Sequence, residues 1–121
     1  MTDRWRNPWL DELGEQYGNR LYSRAIGEVP EMESSKAAAA FLQNIAKQYD
    51  HILDVGCGAG HYLRSLKRIL PSPFHYTGVD ATPQYIELAR QAFASSSDAV
   101  FKLEDIYDLS FEDASYDIVM S

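Results

Sequence analysis

Apolar residues along this chain recur in two periods, and the switch between them marks out the elements. Tyr62, Leu63, Leu66, Ile69 and Leu70 fall three and four positions apart, the spacing of one helix face. Phe41, Leu42, Ile45 and Ala46 repeat that spacing, as do Tyr85, Ile86, Leu88, Ala89 and Phe93. Between these stretches lie short runs rich in β-branched and aromatic residues: Ile52-Leu53-Asp54-Val55, Phe74 to Asp80, Ala99 to Leu103, and Tyr116 to Met120. Each is read as a strand. Strands that alternate with helices predict an α/β domain with a mainly parallel sheet and right-handed crossovers.

Local signals set the expected boundaries. Ser34 or Ser35 is positioned to cap a helix over residues 34–49, and Ala37 to Ala40 give it the strongest helix formers available. Pro71-Ser72-Pro73 ends the helix after Gly60. Thr82 caps the next helix, with Pro83 at its first position, where a missing N–H costs nothing. Residues 1–33 read as a helical arm in two short pieces, Trp9 to Tyr17 ended by Gly18 and Leu21 to Ile26 ended by Gly27. Tyr17, Tyr22 and Arg24 equip that arm to act as a lid over a pocket. The expected division is the arm over 1–33 and one domain over 34–121.

Composition narrows the classes. At 121 residues, 45% hydrophobic and 24% charged, the chain has the make-up of one small globular domain. A net charge of −7 with no cluster of Lys and Arg argues against a nucleic-acid footprint. One cysteine leaves no internal disulfide and suits a reducing compartment. The first residues lack the apolar core of a secretory signal, and no apolar run reaches membrane-spanning length, so the expected location is the cytoplasm.

Candidate chemistry gathers at the strand ends. The first strand runs into Gly56-Cys57-Gly58-Ala59-Gly60, and a helix follows at once. Glycine permits positive φ and lets a ligand approach the main chain, while the helix start offers free N–H groups to an anion. The second strand ends at Asp80 and the third at Glu104-Asp105. In open α/β sheets ligands bind at these carboxyl ends. The Gly-x-Gly-x-Gly spacing, with His61 next, departs from the Gly-x-Gly-x-x-Gly of dinucleotide sites, and the Gly-Lys-Ser/Thr ending of a P-loop is missing. Cys57 beside a helix start admits an activated thiolate or a small residue filling a tight turn, and the second is expected. His61 and His75 have no convergent ligand set, so no metal is expected.

Four segments, Leu53-Asp54-Val55-Gly56-Cys57-Gly58-Ala59-Gly60, Gly78-Val79-Asp80-Ala81-Thr82-Pro83, Glu104 to Phe111 and Ser115 to Ser121, resemble in order and spacing the class I S-adenosylmethionine-dependent methyltransferases. The resemblance runs from Ile52 to Ser121 and implies a Rossmann-like, doubly wound parallel sheet, truncated after the fourth strand. It implies S-adenosylmethionine as cofactor and S-adenosylhomocysteine as product. Asp54 and the backbone of Gly56, Cys57, Gly58 and Gly60 would then hold the methionine moiety. Asp80 would accept both ribose hydroxyls, Ala81 would lie on the adenine, and Asp105 would accept from its exocyclic amine. Ile106 would offer a backbone N–H to a ring nitrogen, and the Ser121 carbonyl would approach the methionine amine. Glu104 reads as a solvated neighbour of Asp105, and Asp108, Glu112 and Asp113 as a solvated loop face. The family's acceptor pocket draws on later segments, so no catalytic residue is assigned; the acidic balance points to a small-molecule acceptor. The fourth strand is expected at a sheet edge with Ile118 and Met120 uncovered, open to self-association. A non-catalytic S-adenosylmethionine-binding or interaction module that needs a partner is the alternative.

Overall fold

A computed structural model describes residues 12–105 and 116–120 of the chain. Its elements in order are α1 (Glu12–Ile26), α2 (Glu33–Gln43), β1 (His51–Val55), α3 (His61–Ile69), β2 (His75–Asp80), α4 (Pro83–Ala92), β3 (Ala99–Leu103) and β4 (Ile118–Met120). The four strands make one sheet in the order β3-β2-β1-β4. All three pairings are parallel, with Ile52 beside Tyr76, Tyr76 beside Ala99 and Ile52 beside Ile118. This is the expected α/β architecture, with its strand carboxyl ends aligned on one side.

The core lies between the sheet and α2, α3 and α4. Ile52, Tyr76 and Phe101 come from one sheet face, Ala39 and Leu42 from α2, Leu63 and Leu66 from α3, and Ile86 and Ala89 from α4. Ala39 is fully buried, which shows why small residues serve in α2: a larger side chain would push the helix off its neighbours.

Several expected boundaries move. α2 ends at Gln43, well short of residue 49, and Phe41, placed in its apolar stripe, is 65% exposed. Ile45 is exposed as well, so the inward face is Ser35, Ala39 and Leu42. The N-cap is Met32 rather than Ser34 or Ser35; Ser35 lies inside the helix with its Oγ buried and unpartnered. Thr82 does sit at the N-cap of α4, with Pro83 following, but its side chain makes no capping bond. β4 begins at Ile118, and Ile118 and Met120 pack against the core instead of lying uncovered; the exposed residue is Val119, on the other face.

Over its described residues the arm is one helix, Glu12–Ile26. α1 runs through Gly18 without a break and ends at Gly27, whose left-handed φ of 87° lets its N–H bond Arg24 O while Glu28 N–H bonds Ser23 O. Gly18 serves close approach instead of termination: a Cβ there would stand 2.8 Å from Cε1 of Tyr85 on α4. Around that contact Leu21, Ala59 and Tyr85 form a second apolar cluster, flanked by Tyr22 and Leu88, with the Tyr17 ring 6.3 Å from that of Tyr85. The loop after α1 is anchored by Glu31, which accepts from Ser65 Oγ at 2.5 Å and Arg68 Nε at 2.6 Å on α3. The Arg68 guanidinium, with help from Ser65, holds the Glu31 carboxyl below its ordinary range. Gly18→Val is therefore expected to pry α1 from α4 and lower stability by about 1–3 kcal/mol, read as a fall in melting temperature with the sheet's circular dichroism retained.

Candidate functional site

The turn from Gly56 to Gly60 sits at the carboxyl end of β1 and is pinned from below. The N–H groups of Gly56 and Cys57 both donate to Val79 O, at 2.8 and 3.0 Å, and Gly60 N–H donates to Cys57 O. Gly56, Gly58 and Gly60 have φ of 76°, 58° and 88°. They differ in what a side chain would meet. At Gly60 a Cβ would strike the Phe93 ring at 2.8 Å, and at Gly58 it would meet Leu21 of α1 at 3.0 Å. At Gly56 it would meet nothing within 4 Å. Gly56 is exposed, so its main chain is open to a ligand where the other two glycines serve packing.

Asp54, two residues earlier, is 4% exposed. Its Oδ2 accepts from the Tyr76 hydroxyl at 2.6 Å. Burial raises its pKa to about 7, against the lowering effect of the Tyr76 bond and with a further push from the Asp80 charge. Here is a buried acid beside an open glycine, with no cation among the described residues acting on it.

Asp80, at the end of β2, is half-buried and holds two backbone groups: Oδ2 accepts from Gly58 N–H and Oδ1 from Thr82 N–H, both at 2.9 Å. It thus clamps the glycine turn to the start of α4, and each oxygen keeps lone-pair capacity for a further donor. Ala81 follows, partly exposed. Glu104 N–H donates to Asp80 O at 3.0 Å, which joins the end of β3 to the same rim. Glu104 is partly buried, less solvated than expected, and Asp105 is exposed. Ile106, Ser121, Asp108, Glu112 and Asp113 lie outside the described residues.

Cys57 resolves between its two readings. The thiol is buried in the core cluster, its Sγ donates to Gly58 O at 3.4 Å, and burial pushes its pKa up. Its Cβ and Sγ occupy the space beside Gly78, 2.9 Å from where a Cβ would stand there. It fills a tight turn, and what it offers a ligand is main chain.

Two features of the site depend on packing that the sequence pattern does not show. Tyr76 reads only as a strand residue; alternation places it on the face of Ile52 and Asp54, but the link to Asp54 needs the register, which pairs Ile52 with Tyr76. His61 packs edge-on against Tyr62 at 5.0 Å, with Nδ1 buried and unpartnered; burial and then the Arg24 charge push its pKa down to about 4, so it is neutral at pH 7. Among the described residues no three His, Cys, Asp or Glu side chains gather into a metal-binding group, and no helix is long and apolar enough to cross a membrane.

The model of a family described as "Methyltransferase domain" matches residues 52–121, the stretch that contains every element of this rim. The chain belongs to the class I S-adenosylmethionine-dependent methyltransferases. Among relatives of this methyltransferase family, the O-methyltransferase cnsE of Penicillium expansum is 34% identical over 116 residues, covering 93% of this chain and 36% of the relative. The solved plantazolicin methyltransferase BpumL, held with a triazolic desmethylPZN analog and SAH, superposes with a TM-score of 0.61 at 25% identity over 93% of this chain and 43% of its own. Phosphoethanolamine N-methyltransferase 2 of Haemonchus contortus, in complex with S-adenosyl-L-methionine, shares the fold with a TM-score of 0.70 at 20% identity, over 95% of this chain and 27% of its own. The chain thus spans about a third of the length of the curated relative and less than half of these solved structures.

Proposed function

We infer that this chain carries the donor-binding part of a methyltransferase that moves the sulfonium methyl of S-adenosylmethionine to a small-molecule acceptor. The observation that carries the reading is the pairing of an open main chain at Gly56 with a buried, cation-free carboxylate at Asp54. A ligand with a peptide-like, positively charged end satisfies both, and the methionine end of the donor has that chemistry. Asp54 and the backbone of Gly56, Cys57, Gly58 and Gly60 hold that end. Asp80 receives the ribose hydroxyls on the lone pairs left by Gly58 and Thr82. Ala81 lies against the adenine, Asp105 accepts from its amine, the Ile106 N–H meets a ring nitrogen, and the Ser121 carbonyl approaches the methionine amine.

The donor supplies an already activated methyl group. What the protein's residues contribute is therefore binding and aim, fixing the sulfonium end so that an acceptor meets it in line. Nothing favours a non-catalytic module. A net charge of −7 suits a small acceptor better than a polyanion, and a lone buried thiol suits a reducing compartment such as the cytoplasm. Calorimetric titration tests the donor assignment: S-adenosylmethionine and S-adenosylhomocysteine are expected to bind and NAD is not. Comparable binding of NAD, or no binding of either adenosyl compound, overturns it.

A further inference from the structure

Asp54 and Tyr76 form a buried pair that the donor-site reading leaves unexplained. β1 and β2 run parallel with Ile52 beside Tyr76 and Asp54 beside Gly78, so Asp54 and Tyr76 stand diagonally on one face. Gly78 leaves the space beside Asp54 without a side chain of its own strand. The Tyr76 ring is 1% exposed, packed in the core with its centroid 5.7 Å from that of Phe101. Phenylalanine would fill that volume without burying a hydroxyl. What the hydroxyl adds is one bond, 2.6 Å to Oδ2 of Asp54.

Among the described residues, the Tyr76 hydroxyl is the one donor to the Asp54 side chain. Among the described residues, the groups acting on it are Tyr76 and Asp80, both from β2, and neither is a cation; Cys57 in the glycine turn feels the Asp54 charge. From β4 the neighbour in register is Met120, which is apolar. A carboxylate with one oxygen tied down and no counter-charge is oriented, yet still lacks a positive partner.

We propose that Tyr76 is a positioning residue of the donor site: its hydroxyl fixes one oxygen of the Asp54 carboxylate and leaves the other for the ammonium group at the amino-acid end of S-adenosylmethionine. This rests on Asp54 belonging to that site. The ammonium group needs the ionised carboxylate, and the Tyr76 bond favours that form over the neutral acid. Without the hydroxyl, burial acts unopposed, the acid stays neutral to higher pH, and binding weakens near neutrality while recovering as pH rises.

The test is calorimetric titration with S-adenosylhomocysteine, which has the same amino-acid end, between pH 6 and pH 8.5, on the wild-type chain, Tyr76→Phe and Asp54→Asn. Tyr76→Phe is expected to lose roughly tenfold in affinity at pH 7, the scale of a hydrogen bond to a charged group, and to regain most of it by pH 8.5. Asp54→Asn is expected to bind weakly at every pH. A Tyr76→Phe loss that is the same at every pH marks a merely structural role and overturns the proposal, as does unchanged affinity. Wild-type affinity in Asp54→Asn instead removes Asp54 from the site, which overturns the reading underneath. If Tyr76→Phe does not fold, carbon-13 tyrosine labelling of the wild-type chain reads the same contact: the Tyr76 ring resonance follows the ionisation of Asp54 through neutral pH, and a resonance that stays flat overturns the proposal.

Discussion

Asp80→Ala is expected to weaken S-adenosylmethionine binding by a factor of ~100 to ~1,000, the loss of two hydrogen bonds to a charged acceptor at about 1.5–2 kcal/mol each. The size follows from the double duty of this carboxylate. Each oxygen holds a backbone N–H, from Gly58 on one side and from Thr82 on the other, so the side chain shapes the rim and, in the proposed donor site, also receives the ribose. Alanine removes both functions. Asp80→Asn keeps an acceptor of the same shape without the charge, and its affinity is expected to fall between wild type and alanine. Calorimetric dissociation constants for the three proteins check this, and equal constants remove Asp80 from the site.

Asp54→Asn is expected to reverse part of the pH dependence of stability. Folding raises the Asp54 pKa from the ordinary range near ~3.9 to about 7. The folded state therefore binds this proton more tightly than the unfolded chain does. Stability from that group is complete below about pH 4, declines as pH rises, and levels off above about 7. Asparagine has nothing to ionise and still accepts from Tyr76. Relative to wild type, Asp54→Asn should gain about 3 kcal/mol between pH 4 and pH 7 and nothing more above it. His61, pushed down to about 4, acts with the opposite sign: its contribution is present above its ordinary value and is lost as pH falls towards 4. It is common to both proteins and drops out of the difference. Urea unfolding curves at unit pH steps measure that difference, and a flat one removes Asp54 as its source.

The parts of the fold written in local pattern were legible. Strands of β-branched residues, a glycine turn before a helix and proline stops each leave a signal within a few positions. That is why β1, β3 and the strand-end acids fall where they were expected. Residues whose meaning depends on a distant partner were not. Gly18 looks the same whether it stops a helix or admits Tyr85, and only the packing of α1 on α4 decides. Phe41 and Ile45 have the spacing of a buried stripe, yet α2 ends at Gln43 and turns a different face inward. At the site, Asp80 could be read because it closes β2, and Asp54 because it stands in the segment that carries the family resemblance. The Tyr76 bond to Asp54 and the clamp of Asp80 on Gly58 needed the register of two strands and the path of a turn.

The docking of α1 bears on how the molecule comes together and comes apart. Its partners, Ala59, Tyr85 and Leu88 in the apolar cluster and Ser65 and Arg68 at the Glu31 anchor, all lie far downstream in the chain. The contacts that hold this helix down are thus long-range, and each must close a long loop before it rewards the chain. Because Leu21 rests on Gly58, any release of α1 exposes the glycine turn as well. The docking of α1 and the cover over Gly58 are therefore expected to change together, which amide hydrogen exchange at the two segments checks.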